Sequence, residues 1–242
     1  MCTLILKKPA LPGHPLQIFG NRDERLDREA EAFSRIMLDK TVAWAPKDLE
    51  KGGTWLGINE HGLFAGLTNR YALHGYPDSD LSASRGELPH LALRHATLQD
   101  AAQAIEAVVK ERAYPGFHLV LATYESALCI VWDGHSSKRQ PVETSTFIVT
   151  ERSFGETPPG RESLIREKVS TLGDHASLDD LSEVLATHQD NSIDAVCVHL
   201  DGINYGTRSA VCINLMPSFG QSQLWETNVP PCRPKWTELA LR

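Results

Sequence analysis

Long apolar runs are missing from this 242-residue chain. A bilayer-spanning helix needs roughly 20 consecutive apolar residues, and the best run, from Phe117 to Trp132, is broken by Glu125 and Ser126. An integral membrane segment is not expected. The opening Met-Cys-Thr-Leu-Ile-Leu has no basic stretch before it and runs into Lys7 and Lys8. It does not read as a secretory signal, and a cytoplasmic protein is expected. Basic blocks are missing too. The formal charge is -7 with no run of like charges, which argues against the basic stripe of a nucleic-acid binder. No phosphate-cradling G-x-x-x-x-G-K or G-x-G-x-x-G occurs, and no cofactor is expected. The five cysteines are an odd number without a C-x-x-C pair, so neither a disulfide framework nor a zinc site is expected. The ten histidines offer no ligand-spaced i, i+4 pair; His90 and His95 stand five apart. No metal is expected, and a metal hydrolase is the weakest functional reading.

What is present suits a globular core. Hydrophobic residues make up 41% and charged residues 23%, ordinary usage for a folded domain. Without repeats, low-complexity runs or linkers, residues 1–242 read as one domain. Strands are expected at 3–6 and 16–19, joined through the Pro/Gly-rich stretch 9–15, with Gly20 ending the second. A hairpin is expected from 54–59 and 62–67, turning at Glu60-His61. A weaker helix is expected over 80–95, interrupted near Pro89, and a strong one over 98–112. In the latter Ala101, Ala104, Ile105 and Val108 share a face behind a Thr97 cap. Further strands are expected at 117–122, 127–132 and 146–149, helices at 161–171 and 178–188, and strands at 195–200, 209–216 and 223–226. Hairpins alternating with blocks of helices predict mostly antiparallel sheets with helical layers outside them.

Cys129, Cys197 and Cys212 lie in apolar, strand-like runs and read as small buried hydrophobes. Cys2 differs by position. Removal of Met1 is expected because Cys is small, and it places a free α-amine on the residue that carries the thiol. That amine has a reference pKa of about 7.7–8.0 and acts as a base near neutral pH. One residue then supplies nucleophile and base. A cysteine placed there by chance, at the start of an ordinary strand, fits the same position.

Three motifs accompany it. After Phe19-Gly20 come Asn21-Arg22-Asp23-Glu24: either a solvated loop, or a strand end where Arg22 polarises the thiolate and Asp23 orients the amine or an Arg fork. The hairpin that begins Gly53-Thr54-Trp55-Leu56-Gly57 ends on Thr68-Asn69-Arg70. The Asn69 amide suits an oxyanion hole and equally suits a turn. In Tyr205-Gly206-Thr207-Arg208-Ser209, Arg208 enters an apolar strand, where it holds an anionic group of a ligand or pairs with a surface acid.

Taken in order, Met1-Cys2-Thr3, Asn21-Arg22-Asp23-Glu24, Gly53-Thr54-Trp55-Leu56-Gly57, Leu67-Thr68-Asn69-Arg70 and Tyr205-Gly206-Thr207-Arg208-Ser209 resemble the NRDE family, which includes the eukaryotic transport and Golgi organisation protein 2. The resemblance implies an N-terminal-nucleophile (Ntn) hydrolase fold: an α+β, four-layer αββα sandwich of two mainly antiparallel sheets flanked by helices. The hairpin around Asn59-Glu60-His61-Gly62-Leu63 also resembles the choloylglycine hydrolase and penicillin V acylase group, which uses an N-terminal Cys to cleave amides. It implies Cys2, Arg22, Asp23, Asn69 and Arg208 as catalytic and Asn21, Thr68 and Arg70 as substrate-binding residues. Two departures stand out. That group has Arg directly after the Phe-Gly strand end and Asp three residues further on, whereas here Asn21 intervenes and Asp23 adjoins Arg22. The mid-chain strand of the group ends on an oxyanion Asn, whereas here 146–149 runs into Thr150-Glu151-Arg152. The expected function is hydrolysis of an amide or thioester of a small-molecule substrate. The alternative implied by the family is a non-catalytic binding or trafficking protein for a small molecule such as haem or a lipid. Oligomeric state is not legible.

Overall fold

The computed structural model describes residues 2–70, 83–155, 160–189 and 192–241, with residue 2 described by its backbone alone. In chain order the elements are β1 (Cys2–Lys7), β2 (Leu16–Arg25), β3 (Ala30–Leu38), β4 (Thr41–Asp48), β5 (Leu56–Asn59), β6 (Phe64–Asn69), α1 (Glu87–Leu93), α2 (Leu98–Glu111), β7 (Phe117–Ala122), β8 (Ala127–Trp132), β9 (Ser137–Pro141), β10 (Thr146–Val149), α3 (Gly160–Ser170), α4 (Leu178–Leu185), β11 (His199–Leu200), β12 (Tyr205–Leu215), β13 (Gln223–Thr227) and β14 (Thr237–Leu239). Among the described residues the strands form two seven-stranded sheets, antiparallel throughout. No helix among them is long and apolar enough to cross a membrane. Their contacts divide the chain into two compact units, Met1–Arg28 with Thr144–Arg242, and Glu29–Glu143.

The first unit carries the sheet β10-β1-β2-β12-β13-β14, with β11 added beside β12. α3 and α4 cover one face of it. Ile165 and Val169 of α3 and Leu181, Val184 and Leu185 of α4 pack with Ile5, Phe19, Ile148 and Cys212 from the strands. Fully buried side chains of this size contribute ~1.5–3 kcal/mol each. α4 starts on a capping box: the Ser177 hydroxyl accepts from the Asp180 N–H while the Asp180 carboxylate accepts from the Ser177 N–H.

The second unit carries the sheet β3-β4-β5-β6-β7-β8-β9. Ala101, Ala102, Ile105 and Val109 of α2 and Leu88, Ala92 and Leu93 of α1 pack with Leu67, Phe117, Leu119 and Leu121. Thr97 caps α2 as expected, its side chain accepting from the Asp100 N–H. α1 is shorter than the helix expected over 80–95. Residues 80–82 lie outside the described residues, and Pro89 does not interrupt the helix. It is the third residue of α1, where its missing N–H has no intrahelical partner to lose. β3, β4, β9 and β14 were not expected. The strand expected over 195–200 is reduced to β11, the preceding residues being a buried turn.

Candidate active site

β2 does not stop at Gly20. It runs on to Arg25 because β1 flanks it on one side and β12 on the other. Gly20 permits the close approach of β1: a Cβ there would stand 2.2 Å from the Thr3 carbonyl oxygen. Across the β1–β2 pair Cys2 opposes Arg22, Thr3 opposes Asn21 and Leu4 opposes Gly20. Across β2–β12, Arg22 opposes Ser209 and Asp23 opposes Thr207, with a bulge between them that leaves Arg208 as the extra residue. On the other edge of β1, Val149 opposes Leu4, so Thr150 and Glu151 leave β10 beside the start of β1.

Strand alternation sends Asn21 and Asp23 to the helix-covered face and Arg22 to the opposite one. Asp23, 1% exposed, is held at both oxygens. Thr207 Oγ1 donates to Oδ1 at 2.6 Å and Arg161 Nη1 donates to Oδ2 at 2.8 Å. Arg161, on α3, is fully buried. Its Nη1 also donates to Thr3 Oγ1 at 3.1 Å, and its Nη2 donates to the Ile193 carbonyl. The carboxylate of Glu151, itself 1% exposed, lies 3.7 Å from Arg161 Nη1. Burial alone draws the Arg161 pKa down, but attraction to Asp23 and then to Glu151 outweighs it and the net shift is upward. The guanidinium stays charged and ties β1, β2 and α3 together. Behind it, Thr207 Oγ1 accepts from the Val198 N–H at 2.8 Å, and Tyr205 Oη donates to the Asp23 carbonyl at 2.9 Å.

The other expected site residues fall as follows. Arg22 is buried on β2. Arg208, on the same sheet, turns its Nη1 to the carbonyls of Arg25, the last residue of β2, and of Arg28 in the loop that follows. Asn21 donates its amide hydrogens to the Leu185 and Val196 carbonyls at 3.0 and 2.9 Å, so its side chain joins β2 to the end of α4. Thr68, Asn69 and Arg70 belong to the second unit. Thr68 Oγ1 is hydrogen-bonded to His118 Nδ1 at 3.0 Å. Asn69 ends β6 opposite Phe117, and the Arg70 N–H donates to the Gly116 carbonyl. The removal of Met1 and the position of the Cys2 thiol lie outside the described residues.

Sequence reading did not single out Arg161, Thr207, Glu151 or Thr3. Arg161 did leave a signal. With Ile165 and Val169 it forms the buried i, i+4, i+8 stripe of α3, a position where an apolar residue is the rule.

Comparison with known proteins shows the fold. The Caenorhabditis elegans N-acylethanolamine-hydrolyzing acid amidase (NAAA) ortholog matches with a TM-score of 0.60 at 14% identity, over 91% of this chain and 94% of that one. Penicillin V acylase from Agrobacterium tumefaciens matches with 0.60 at 14%, over 99% and 86%. A mutant of the conjugated bile acid hydrolase from Clostridium perfringens matches with 0.62 at 9%, over 100% and 92%. The fold is therefore the α+β sandwich of the Ntn hydrolases, as the resemblance implied. No curated protein sequence matches the chain. The family model described as Transport and Golgi organisation 2 matches residues 1–230.

Proposed function

This chain belongs to the Transport and Golgi organisation 2 family, and on that premise we propose that it is an N-terminal-cysteine hydrolase of an amide or thioester bond. Removal of Met1 exposes Cys2 as the nucleophile. The observation that carries the reading is the register at the sheet's end: Cys2 opposes Arg22, and the next residue is a buried Asp23 held by Thr207 and Arg161. The names of the three matched structures, an amidase, an acylase and a hydrolase, support the reaction class. Their coverage of 91–100% of the chain supports residues 1–242 acting as one domain.

The proposed chemistry is acyl transfer in two steps. The Cys2 thiol gives its proton to its own α-amine, and the thiolate adds to the substrate carbonyl. The tetrahedral oxyanion collapses as the ammonium returns the proton to the leaving nitrogen or sulfur, which leaves an acyl thioester on Cys2. Water then adds, giving a proton to the α-amine. The C–S bond breaks, the acid departs and the thiol is restored. The cation of Arg22 favours the thiolate. Asp23 acts through its fixed charge rather than as a proton carrier, since Thr207 and Arg161 donate to both its oxygens. Asn69 is proposed as an oxyanion donor, on the chemistry of its uncharged amide, and Arg208 or Arg22 as an anchor for an anionic substrate, on the fork of donors a guanidinium presents.

Intact-mass analysis tests the reading. The purified chain is expected to lack Met1 and to take up one carbamidomethyl group, at Cys2, under limiting iodoacetamide. An aryl thioester of a short acyl chain is expected to leave an acyl adduct on Cys2 and none in Cys2→Ala. A chain that retains Met1 and leaves Cys2 unmodified by both reagents would overturn the hydrolase and return the protein to the non-catalytic binding alternative.

A further inference from the structure

Four side chains that no spacing rule connects meet in the first unit. The ligand atoms of His188, Cys197, His199 and Cys232 all lie within 4.8 Å of one another. His199 Nε2 is 3.4 Å from Cys197 Sγ and 3.5 Å from Cys232 Sγ, and the His188 and His199 rings are 5.0 Å apart between centroids. Zinc bound tetrahedrally by sulfur at ~2.3 Å and nitrogen at ~2.0–2.1 Å requires an S···N edge of about 3.6 Å. Both measured edges are within a few tenths of that. We propose that these residues form a Cys2His2 site for a structural Zn2+ ion.

The fold brings the four together by identifiable bonds. The Cys197 N–H donates to the Thr187 carbonyl at 2.9 Å, which sets Cys197 beside the residue that precedes His188. β11 pairs with β12 so that His199 opposes Gly206. That approach requires glycine: a Cβ on Gly206 would stand 2.7 Å from the Val198 carbonyl oxygen. Cys197 and His199 flank Val198, whose N–H donates to Thr207 Oγ1. Cys232 comes from the proline-rich loop after β13. The Arg233 N–H donates to the Pro230 carbonyl, the Lys235 N–H to Thr227 Oγ1, and Trp236 Nε1 to Ser182 Oγ on α4.

The donor set selects the ion. Two thiolates with two imidazoles in a four-ligand tetrahedron suit zinc, whereas hard cations take oxygen ligands. Four protein ligands fill the coordination sphere and leave no open position for substrate, so the role is structural. A disulfide between Cys197 and Cys232 would give the two converging imidazoles no part. Cys197 is buried and His188 exposed, which provides an entry path from solvent. Binding releases two thiol protons. The ion acts as a clip: it fixes the chain on both sides of Val198, which holds Thr207, which holds Asp23. The site does not depend on Cys2 being a nucleophile.

The test uses the full chain, stripped of metal by a chelator under reducing conditions. Titration with Zn2+ against a chromophoric competitor is expected to give one zinc per chain. Co2+ is expected to give intense tetrahedral ligand-field bands with thiolate-to-cobalt charge transfer. Cys232→Ser and His199→Gln are each expected to weaken zinc binding by more than the roughly 10–100-fold that follows loss of an outer hydrogen-bond partner. Cys2→Ala is expected to leave binding unchanged, which separates this outcome from failure of the hydrolase. Zinc is also expected to shield Cys197 and Cys232 of the unsubstituted chain from alkylation, a readout that survives if a variant fails to fold. The site is overturned by the absence of zinc uptake, by a cobalt spectrum without thiolate bands, by undiminished binding in both folded variants, by lack of protection, or by a Cys197–Cys232 disulfide in protein kept under reductant.

Discussion

Arg161 shows how much one residue controls at the end of the first sheet. It is the cation between Asp23 and Glu151 and also donates to Thr3 Oγ1. Removing it takes from buried Asp23 and Glu151 the cation they share, with Thr207 still donating to Asp23 and Arg152 still 3.3 Å from Glu151, and is expected to cost about 3–5 kcal/mol. Arg161→Met is therefore expected to lower the urea midpoint sharply. The double variant with Asp23→Asn is expected to lose less than the sum of the two single changes, because each single change removes the nearest counter-charge of the other partner. Gly20 sets the second limit. With the Thr3 carbonyl oxygen 2.2 Å from the position a Cβ would take, Gly20→Ala forces β1 away from β2 and is expected to cost ~1–3 kcal/mol or more. The same measurement reads it, and unchanged stability would refute the close-approach account. The strand-end polar residues were legible as a motif, but their partners were not. Asp23 is matched by Arg161, 138 positions away in sequence, and a one-dimensional pattern carries no sign of that pairing. Thr207 lay inside a recognised motif beside the more conspicuous Arg208. The bulge between Thr207 and Ser209 gives Thr207, rather than Arg208, the bond to Asp23.

At the scale of elements, short strands made mostly of apolar residues were readable, as β7, β8 and β10 show. β3 was hidden because Phe33 is its one buried residue. β4 was hidden by Pro46, which argues against a strand. Pro46 lies between the β3 partners Ala45 and Lys47, where the register slips, so the N–H that proline lacks falls at the irregularity of the ladder. β2 was expected to end at Gly20, read as a strand breaker ahead of four polar residues. Burial of Asn21 and Asp23 is tolerated because backbone carbonyls accept both amide hydrogens of Asn21 and because Thr207 and Arg161 donate to Asp23. α1 carries a testable pH dependence. Burial, and then the positive charge of Arg94, lower the His90 pKa, so the folded chain resists charging this ring more than the unfolded chain does. The associated stability is complete above the unfolded value of about 6.5 and is lost as pH falls through the lower folded pKa. His90→Gln is expected to flatten this part of the stability profile. Urea midpoints at pH 7.5 and 5.0 that fall equally in both proteins would refute it.

For the whole molecule, the alternation of hairpins with helical blocks made the fold class readable, and the dispersed motifs identified the family. The histidine–cysteine cluster was not readable. Its members come from the segment after α4, from the chain entering β11 and from the loop after β13, and their spacing matches no zinc motif. Sheet pairing, the bond from the Cys197 N–H to the Thr187 carbonyl and the anchoring of the loop on α4 bring them together. A zinc ion there would close loops among three segments of the first unit, and it would bind the folded chain far better than the unfolded one. Such a ligand at a hundredfold excess over its dissociation constant stabilises by about 2.7 kcal/mol. For a chain of this length, each kcal/mol moves the melting temperature by about 2–4 °C. Chelation is therefore expected to lower the melting temperature by about 5–10 °C, and restored zinc to reverse the change. In calorimetry the shift should persist in Cys2→Ala and vanish in Cys232→Ser. A shift that is absent from the unsubstituted chain, or that persists in Cys232→Ser, would show that the metal does not hold this part of the fold.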